Sequence, residues 1–207
     1  MSERLRKFLT KAPIHRLKRR FRIMLDFFQG YDFLRVKSPE KLGLGTEDYN
    51  TGSPSGGYRL EKVVRSLSIT NKDRILDIGC AKGSALRTFQ KFPFGAIGGL
   101  EVSEELFTIC ENNLKILSDQ RIKIECQNAE YFTNYGDYNY FYLYNPFRKL
   151  SILKSVMNRI NVQCTGKIWI IYNNPFGCDE LIKDGFVVSS RHVNEWGREI
   201  LILSKNL

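Results

Sequence analysis

The stretch Ile75-Leu76-Asp77-Ile78-Gly79-Cys80-Ala81-Lys82-Gly83 constrains the fold more than any other part of the chain. A short apolar strand runs into a turn of small residues, and a helical pattern follows. Small residues let a ligand approach the backbone, and the start of a helix offers unpaired N–H groups. A tight strand-to-helix turn without a ligand is the plain alternative. Spacing narrows the choice of ligand. A phosphate-binding P-loop needs Gly-x4-Gly-Lys-Ser/Thr, which occurs nowhere in the sequence. The dinucleotide fingerprint puts glycines at i, i+2 and i+5. Here the small residues Gly79, Ala81 and Gly83 fall at i, i+2 and i+4. Glu101 ends the next strand, where a carboxylate can accept both hydrogen bonds of a ribose diol. The combination suits a nucleoside with a compact zwitterionic tail better than a pyrophosphate.

Strands and helices alternate around this loop. Helical spacing marks Tyr58–Leu67, Ser84–Phe92, the run after Ser103 (Leu106, Ile109, Cys110, Asn113, Leu117) and the run Leu150, Leu153, Met157, Ile160. Ser103 is placed to cap its helix, with Glu104 and Glu105 at the positive end of the dipole. Strands are predicted at 74–78, 96–101, 121–126, 139–144 and 167–172. Two more, 186–193 and 198–204, are separated by Asn194-Glu195-Trp196-Gly197, which suits a hairpin. Strands joined by helical crossovers imply a mainly parallel sheet covered on both faces.

These residues resemble the class I S-adenosylmethionine-dependent methyltransferases. The likeness rests on the loop at 77–83, Gly99-Leu100-Glu101, the pair Asn128-Ala129 and Tyr144-Asn145-Pro146-Phe147. It covers residues ~57–207 and is most like small bacterial members with an Asn-Pro-Phe motif. The resemblance implies an α/β, Rossmann-like, doubly wound fold. Its sheet would be seven-stranded and mostly parallel, with a C-terminal antiparallel hairpin and helices on both faces. It implies S-adenosylmethionine as cofactor, held by Asp77, Gly79, Cys80, Ala81, Gly83, Glu101, Val102, Asn128 and Ala129. Asp77 would accept loop N–H bonds or meet the amino group of the methionine tail. The loop backbone would lie against that tail. Glu101 would hold the ribose, Val102 would pack on adenine, and Asn128 and Ala129 would read the adenine edge. Two residues depart from the family pattern. Ala81 replaces the usual middle glycine, which is tolerable if its φ is negative. Asn128 replaces a frequent Asp, and its carbonyl oxygen can still accept from the adenine amine.

Methyl transfer is an in-line displacement that needs a positioned nucleophile. Asn145, Pro146 and Phe147 are the candidate catalytic residues. The Asn oxygen can accept amine hydrogens, Pro fixes the turn, and Phe can stack on a planar or cationic acceptor. The motif resembles the Asn-Pro-Pro-Tyr type of amino methyltransferases, less one proline. A second copy, Asn174-Pro175-Phe176, reads as a turn. An oxygen nucleophile usually needs a general base. The two histidines, His15 and His192, are poor candidates, so nitrogen is slightly favoured over oxygen. The acceptor itself is not legible.

The net charge of +10 is concentrated, because residues 1–37 carry eleven Lys or Arg against three Asp or Glu. Leu17, Phe21, Met24 and Phe28 follow helical spacing within this basic arm, with Ile14 and Leu25 flanking and Gly30 as a stop. Such a helix can pack by its apolar face on the body, lie on an anionic membrane or acidic partner through residues 4–22, or follow nucleic acid. No strand pattern of an RNA module accompanies it. Residues 38–57, rich in Gly, Ser and Pro, read as a linker or a lid. The methyltransferase domain is then 58–207.

With 43% hydrophobic and 26% charged residues the composition is ordinary for a globular chain, and no apolar run approaches the ~18 residues of a membrane span. Five scattered cysteines without a C-x-x-C pair suggest reduced thiols, no metal site and a cytoplasmic protein, peripheral to the membrane if the arm binds lipid. The reading is therefore an enzyme. The alternatives are a non-catalytic module of the same fold that docks through its arm, and a nicotinamide-dependent oxidoreductase, against which the glycine spacing argues.

Overall fold

The computed structural model describes Leu17 and residues 20–45, 47–195 and 197–207. The arm residues Arg4, Arg6, Lys7, Lys11, Ile14, His15, Arg16, Lys18 and Arg19, and Trp196 in the hairpin, lie outside the described residues.

The strands are β1 (Arg74–Ile78), β2 (Ala96–Glu101), β3 (Ile122–Cys126), β4 (Tyr140–Leu143), β5 (Lys167–Asn173), β6 (Val187–Val193) and β7 (Glu199–Asn206). The helices are α1 (Tyr58–Arg65), α2 (Leu86–Phe89), α3 (Glu104–Leu117), α4 (Leu150–Gln163) and α5 (Cys178–Lys183). One seven-stranded sheet has the order β3-β2-β1-β4-β5-β7-β6. The first five strands are parallel, and β7 runs antiparallel between β5 and β6. This is the expected doubly wound sheet with its terminal hairpin.

Strand β4 shows why both faces are covered. Tyr140 and Tyr142 enter one core layer with Leu60, Val63 and Val64 of α1 and Leu86 and Phe89 of α2. Phe141 and Leu143 enter the other, against Leu153, Val156, Met157 and Ile160 of α4. A strand buried on both sides reads as a continuous apolar run rather than an alternation. Helix α3 starts where expected, with the Ser103 hydroxyl accepting from the Leu106 N–H at 3.3 Å.

Two elements differ from expectation. The helix predicted over 84–92 contracts to α2, four residues long. Arg121 explains its early end. Its guanidinium donates to the carbonyls of Gln90 (2.6 Å), Phe92 (2.8 Å) and Phe94 (3.1 Å), which fold back over the end of β3. Helix α5 is unforeseen, because six residues show no clear period. The reading in which the arm helix packs by its apolar face is also overturned. Residues 20–28 are helical, but Phe21, Met24 and Phe28 point outward, and the buried side chain of this helix is Asp26. Among the described residues no helix is long and apolar enough to cross a membrane.

Replacing Arg121 with Ala is expected to cost about 2 kcal/mol by leaving these carbonyls without a donor. That corresponds to a fall in Tm of roughly 4–8 °C for a chain of this size. Arg121→Lys should recover only part of the loss, since Lys lacks the planar fork. Wild-type melting in both variants would show that water replaces the guanidinium at no cost.

Candidate functional site

Strand β1 lies between β2 and β4, so the chain leaves it in opposite directions and a crevice opens at the carboxyl ends of the strands. The glycine loop occupies this crevice. The N–H groups of Gly79 and Cys80 both donate to the Leu100 carbonyl, at 2.9 and 2.8 Å, which bends the chain sharply away from β1. Gly79 sits at φ +80°, and a Cβ there would stand 3.0 Å from Pro146 Cβ. The loop therefore touches the turn after β4 through a position that only glycine fills easily.

Ala81 departs from expectation. Its φ is +47°, a left-handed conformation that costs an L-residue about 1–2 kcal/mol. The Ala81 N–H is aimed by this twist at Glu101 Oε2, 2.8 Å away. Glu101 Oε1 accepts from the Ser103 N–H at 2.9 Å. Burial raises the pKa of this carboxyl, and the N–H groups of Ser103, Ala81 and Val102 oppose the rise. These donors leave the carboxylate at least one acceptor direction, and Glu101 lines the cavity.

Leu42, Tyr49, Gly52, Ser55, Gly79, Cys80, Ala81, Glu101, Val102, Asn128, Ala129, Tyr144, Pro146 and Phe147 are among the cavity's walls. Three expected residues lie outside this lining. Asp77 is buried on β1, where it faces Tyr142 and Gly99 in register. The loop N–H groups it was expected to accept are bonded to Leu100 and Glu101 instead. Burial first, and then the Glu101 charge, push its carboxyl well above the usual range. Gly83 (φ +82°) serves packing, because a Cβ there would come within 2.8 Å of Cys110 Sγ on α3. Asn145 sits behind the lining at φ +41°, an unusual conformation before a proline. Its side-chain oxygen is buried without a partner.

Asn128 is at the cavity but already committed. Its Oδ1 accepts from the Glu130 N–H at 2.9 Å, and its Nδ2 donates to the Tyr49 hydroxyl at 3.3 Å. Its carbonyl oxygen has one acceptor direction left for a ligand, not two. Asn174-Pro175-Phe176 lies away from the cavity lining. The Asn174 N–H donates to Glu199 O, and the Tyr172 hydroxyl to Phe176 O, each at 2.8 Å. His192 is on edge strand β6, 3.1 Å from the Ser190 hydroxyl.

Sequence reasoning left one further contributor as a linker or a lid and missed another. The first is the strap 48–57, which passes over the cavity. Asn50 donates its N–H to Pro146 O (3.0 Å) and its Nδ2 to Asn145 O (2.8 Å). At the other end, the Ser55 and Gly56 N–H groups reach Ser84 Oγ, and the Gly57 N–H reaches Thr88 Oγ1. A Cβ on Gly56 would overlap the Ser84 carbonyl, and one on Gly52 would stand 3.2 Å from Ala81 Cβ. The glycines that read as linker residues thus let the strap lie flat. The second is Lys82, buried at 4% exposure, with its Nζ 2.6 Å from Asp32 Oδ2. The Asp32 N–H donates to Asn113 Oδ1, and Asn113 Nδ2 donates to Lys82 O. This ring ties the glycine loop to α3 and to the chain before the strap.

No family model matches the sequence, and no curated protein does. Solved structures do match. A SAM-dependent methyltransferase from Aquifex aeolicus superposes with TM-score 0.59 at 13% identity, covering 70% of this chain and 92% of that one. The ribosomal protein L11 methylase from Lactobacillus delbrueckii subsp. bulgaricus gives 0.57 at 13% identity, covering 75% and 84%. An RNA methyltransferase from Salinibacter ruber, in complex with S-adenosyl-L-homocysteine, gives 0.57 at 11% identity, covering 71% and 90%. The chain has the class I methyltransferase fold.

The buried Asp77 gives a pH test. Its folded pKa is raised, so the native state keeps a proton that the unfolded chain releases above about 3.8. Its contribution to stability is therefore full below that value and is lost as pH rises toward the folded pKa. Asp77→Asn removes the titration. Urea unfolding from about pH 4 to pH 8 should show wild type losing stability relative to Asp77→Asn as pH rises. A pH-independent difference would contradict the placement of this carboxyl.

Proposed function

We propose that the protein is an S-adenosylmethionine-dependent methyltransferase, with an amine nitrogen favoured over oxygen as acceptor. The observation that carries this reading is Glu101. Its carboxylate stands in one cavity with the glycine loop, at the carboxyl ends of the strands, and keeps an acceptor direction for a ribose hydroxyl. The donor set fits the cofactor. Glu101 would hold the ribose hydroxyls. The backbone at Gly79, Cys80 and Ala81 would lie along the methionine tail, where a larger side chain at Gly79 would close the space against Pro146. Val102 would cover one adenine face, and Asn128 and Ala129 its edge.

When bound, the cofactor supplies an activated methyl group on sulfonium sulfur, so the protein has to orient a nucleophile rather than generate a strong one. Asn145 is built for orientation. Asn50 clamps its carbonyl, Pro146 restrains the turn, and its unpartnered Oδ1 needs a hydrogen-bond donor. Asn145 lies behind the cavity wall, so an amine acceptor would reach this oxygen only by displacing part of the Pro146–Phe147 wall, and its N–H would then satisfy it. Pro146 and Phe147 wall the same end of the cavity. Tyr49, whose backbone bridges Phe147, lines the cavity beside them. The solved neighbours described above are enzymes, and no observation favours a non-catalytic module.

Calorimetry with S-adenosylhomocysteine tests the cofactor assignment. Glu101→Gln should weaken binding by about 1–3 kcal/mol, or roughly 6- to 150-fold, through loss of charge-assisted bonds. Unchanged affinity in a folded variant would remove the assignment. Asn145→Gly keeps the left-handed backbone and deletes the amide. Methyl transfer from labelled cofactor, scored on amine-bearing and hydroxyl-bearing acceptors, should fall about 100-fold on the amine. Affinity for S-adenosylhomocysteine should stay within about threefold. Equal turnover by the variant would show that Asn145 only shapes the turn.

A further inference from the structure

The helix over residues 20–28 is mounted with its polar side inward. Asp26 faces the body, where Arg87 Nη1 meets it at 3.3 Å. The Tyr31 N–H donates to Asp26 O at 2.7 Å. The Arg87 guanidinium also lies over the rings of Tyr31 and Phe33, at 4.9 and 5.0 Å. The buried Phe33 and the Asp32–Lys82 pair anchor the chain just beyond. The helix cannot roll to bury its other face without breaking the Asp26–Arg87 pair.

That other face is apolar and exposed. Leu17, Phe21, Met24 and Phe28 form the stripe, with Leu25 and Phe27 at its borders, and Phe28 is 76% exposed. Isolated exposed hydrophobes need no explanation, but a contiguous stripe with polar borders marks a contact surface. The borders are cationic. Arg20 lies on the helix, and the exposed Arg35 places its guanidinium 5.7 Å from the Phe27 ring. The first 37 residues carry eleven basic against three acidic side chains.

We propose that this face docks on an anionic lipid bilayer. Apolar side chains of such a helix enter the headgroup–acyl boundary, while Lys and Arg remain at the phosphate level. The stripe and its charge then both find a partner. RNA would satisfy the cations but offers no continuous apolar surface to Phe21, Met24 and Phe28. A second copy would bring two strongly basic arms together, against their mutual repulsion.

Flotation of the full chain with vesicles tests this. Vesicles of phosphatidylcholine with about 30 mol% phosphatidylglycerol should carry at least roughly tenfold more protein than phosphatidylcholine alone. The double variant Phe21→Ser/Phe28→Ser should lose roughly tenfold or more of that binding, with unchanged circular dichroism and Tm, because both rings are exposed. In Phe21→Trp, brominated acyl chains should quench the new indole. The proposal is overturned if the wild type stays unbound, if the double variant floats equally well, or if the new indole is not quenched. It is also overturned if the double variant loses binding to polyuridylate RNA or loses self-association while vesicle binding is unaffected.

Discussion

The Glu101 carboxylate holds three parts of the molecule in register. It takes the Ala81 N–H from the glycine loop and the Ser103 N–H from the start of α3, and it belongs to β2 itself. Burying a carboxylate is costly unless it is well bonded, and charge-assisted bonds to backbone N–H groups are among the stronger ones available. The same bonds offset the left-handed twist at Ala81. Loop shape, helix start and cavity wall therefore depend on one side chain. A site built this way is organised before any ligand arrives, and a ligand that meets Glu101 meets a group already held in place.

A second set of contacts joins this centre to the segments before it. Lys82 points away from the cavity and into the segment around Asp32, while Asn113 of α3 closes the ring. The next segment, the strap, bonds to the turn after β4 and then to the start of α2. The segment from Leu42 to Ser55 is thus part of the cavity wall rather than a tether to it.

Legibility followed the range of the interactions. The parallel sheet and its hairpin are readable because strand and helix periods are local, as is the placement of Glu101 one strand after the glycine loop. The strap is readable only as a linker or a lid, because Asn50 and Asn145, which fix its position, are 95 residues apart and its glycines look like any linker's. Periodicity finds the apolar stripe at Leu17, Phe21, Met24 and Phe28 but cannot say which side turns inward. That is decided by Asp26 and Arg87, 61 residues apart. Asp77 and Asn128 look like ligand contacts from position alone. The backbone groups that claim or bypass them become visible only once β1, β2 and the turn after β3 are assembled.

The strap has a kinetic consequence. It is fastened unequally: toward the turn after β4 the Lys149–Asp48 ion pair (2.6 Å) and the Arg148 Nε bond to Asn50 Oδ1 (3.1 Å) add charge to the neutral bonds, whereas the Ser84 end holds by neutral hydrogen bonds alone, each worth only about 0.5–1.5 kcal/mol net. Its glycines add no side chains that would wedge it shut. Guest exchange can therefore proceed by unzipping one seam while the sheet and both core layers stay intact. Access to the cavity is then through a hatch whose hinge line runs along the tripeptide 145–147.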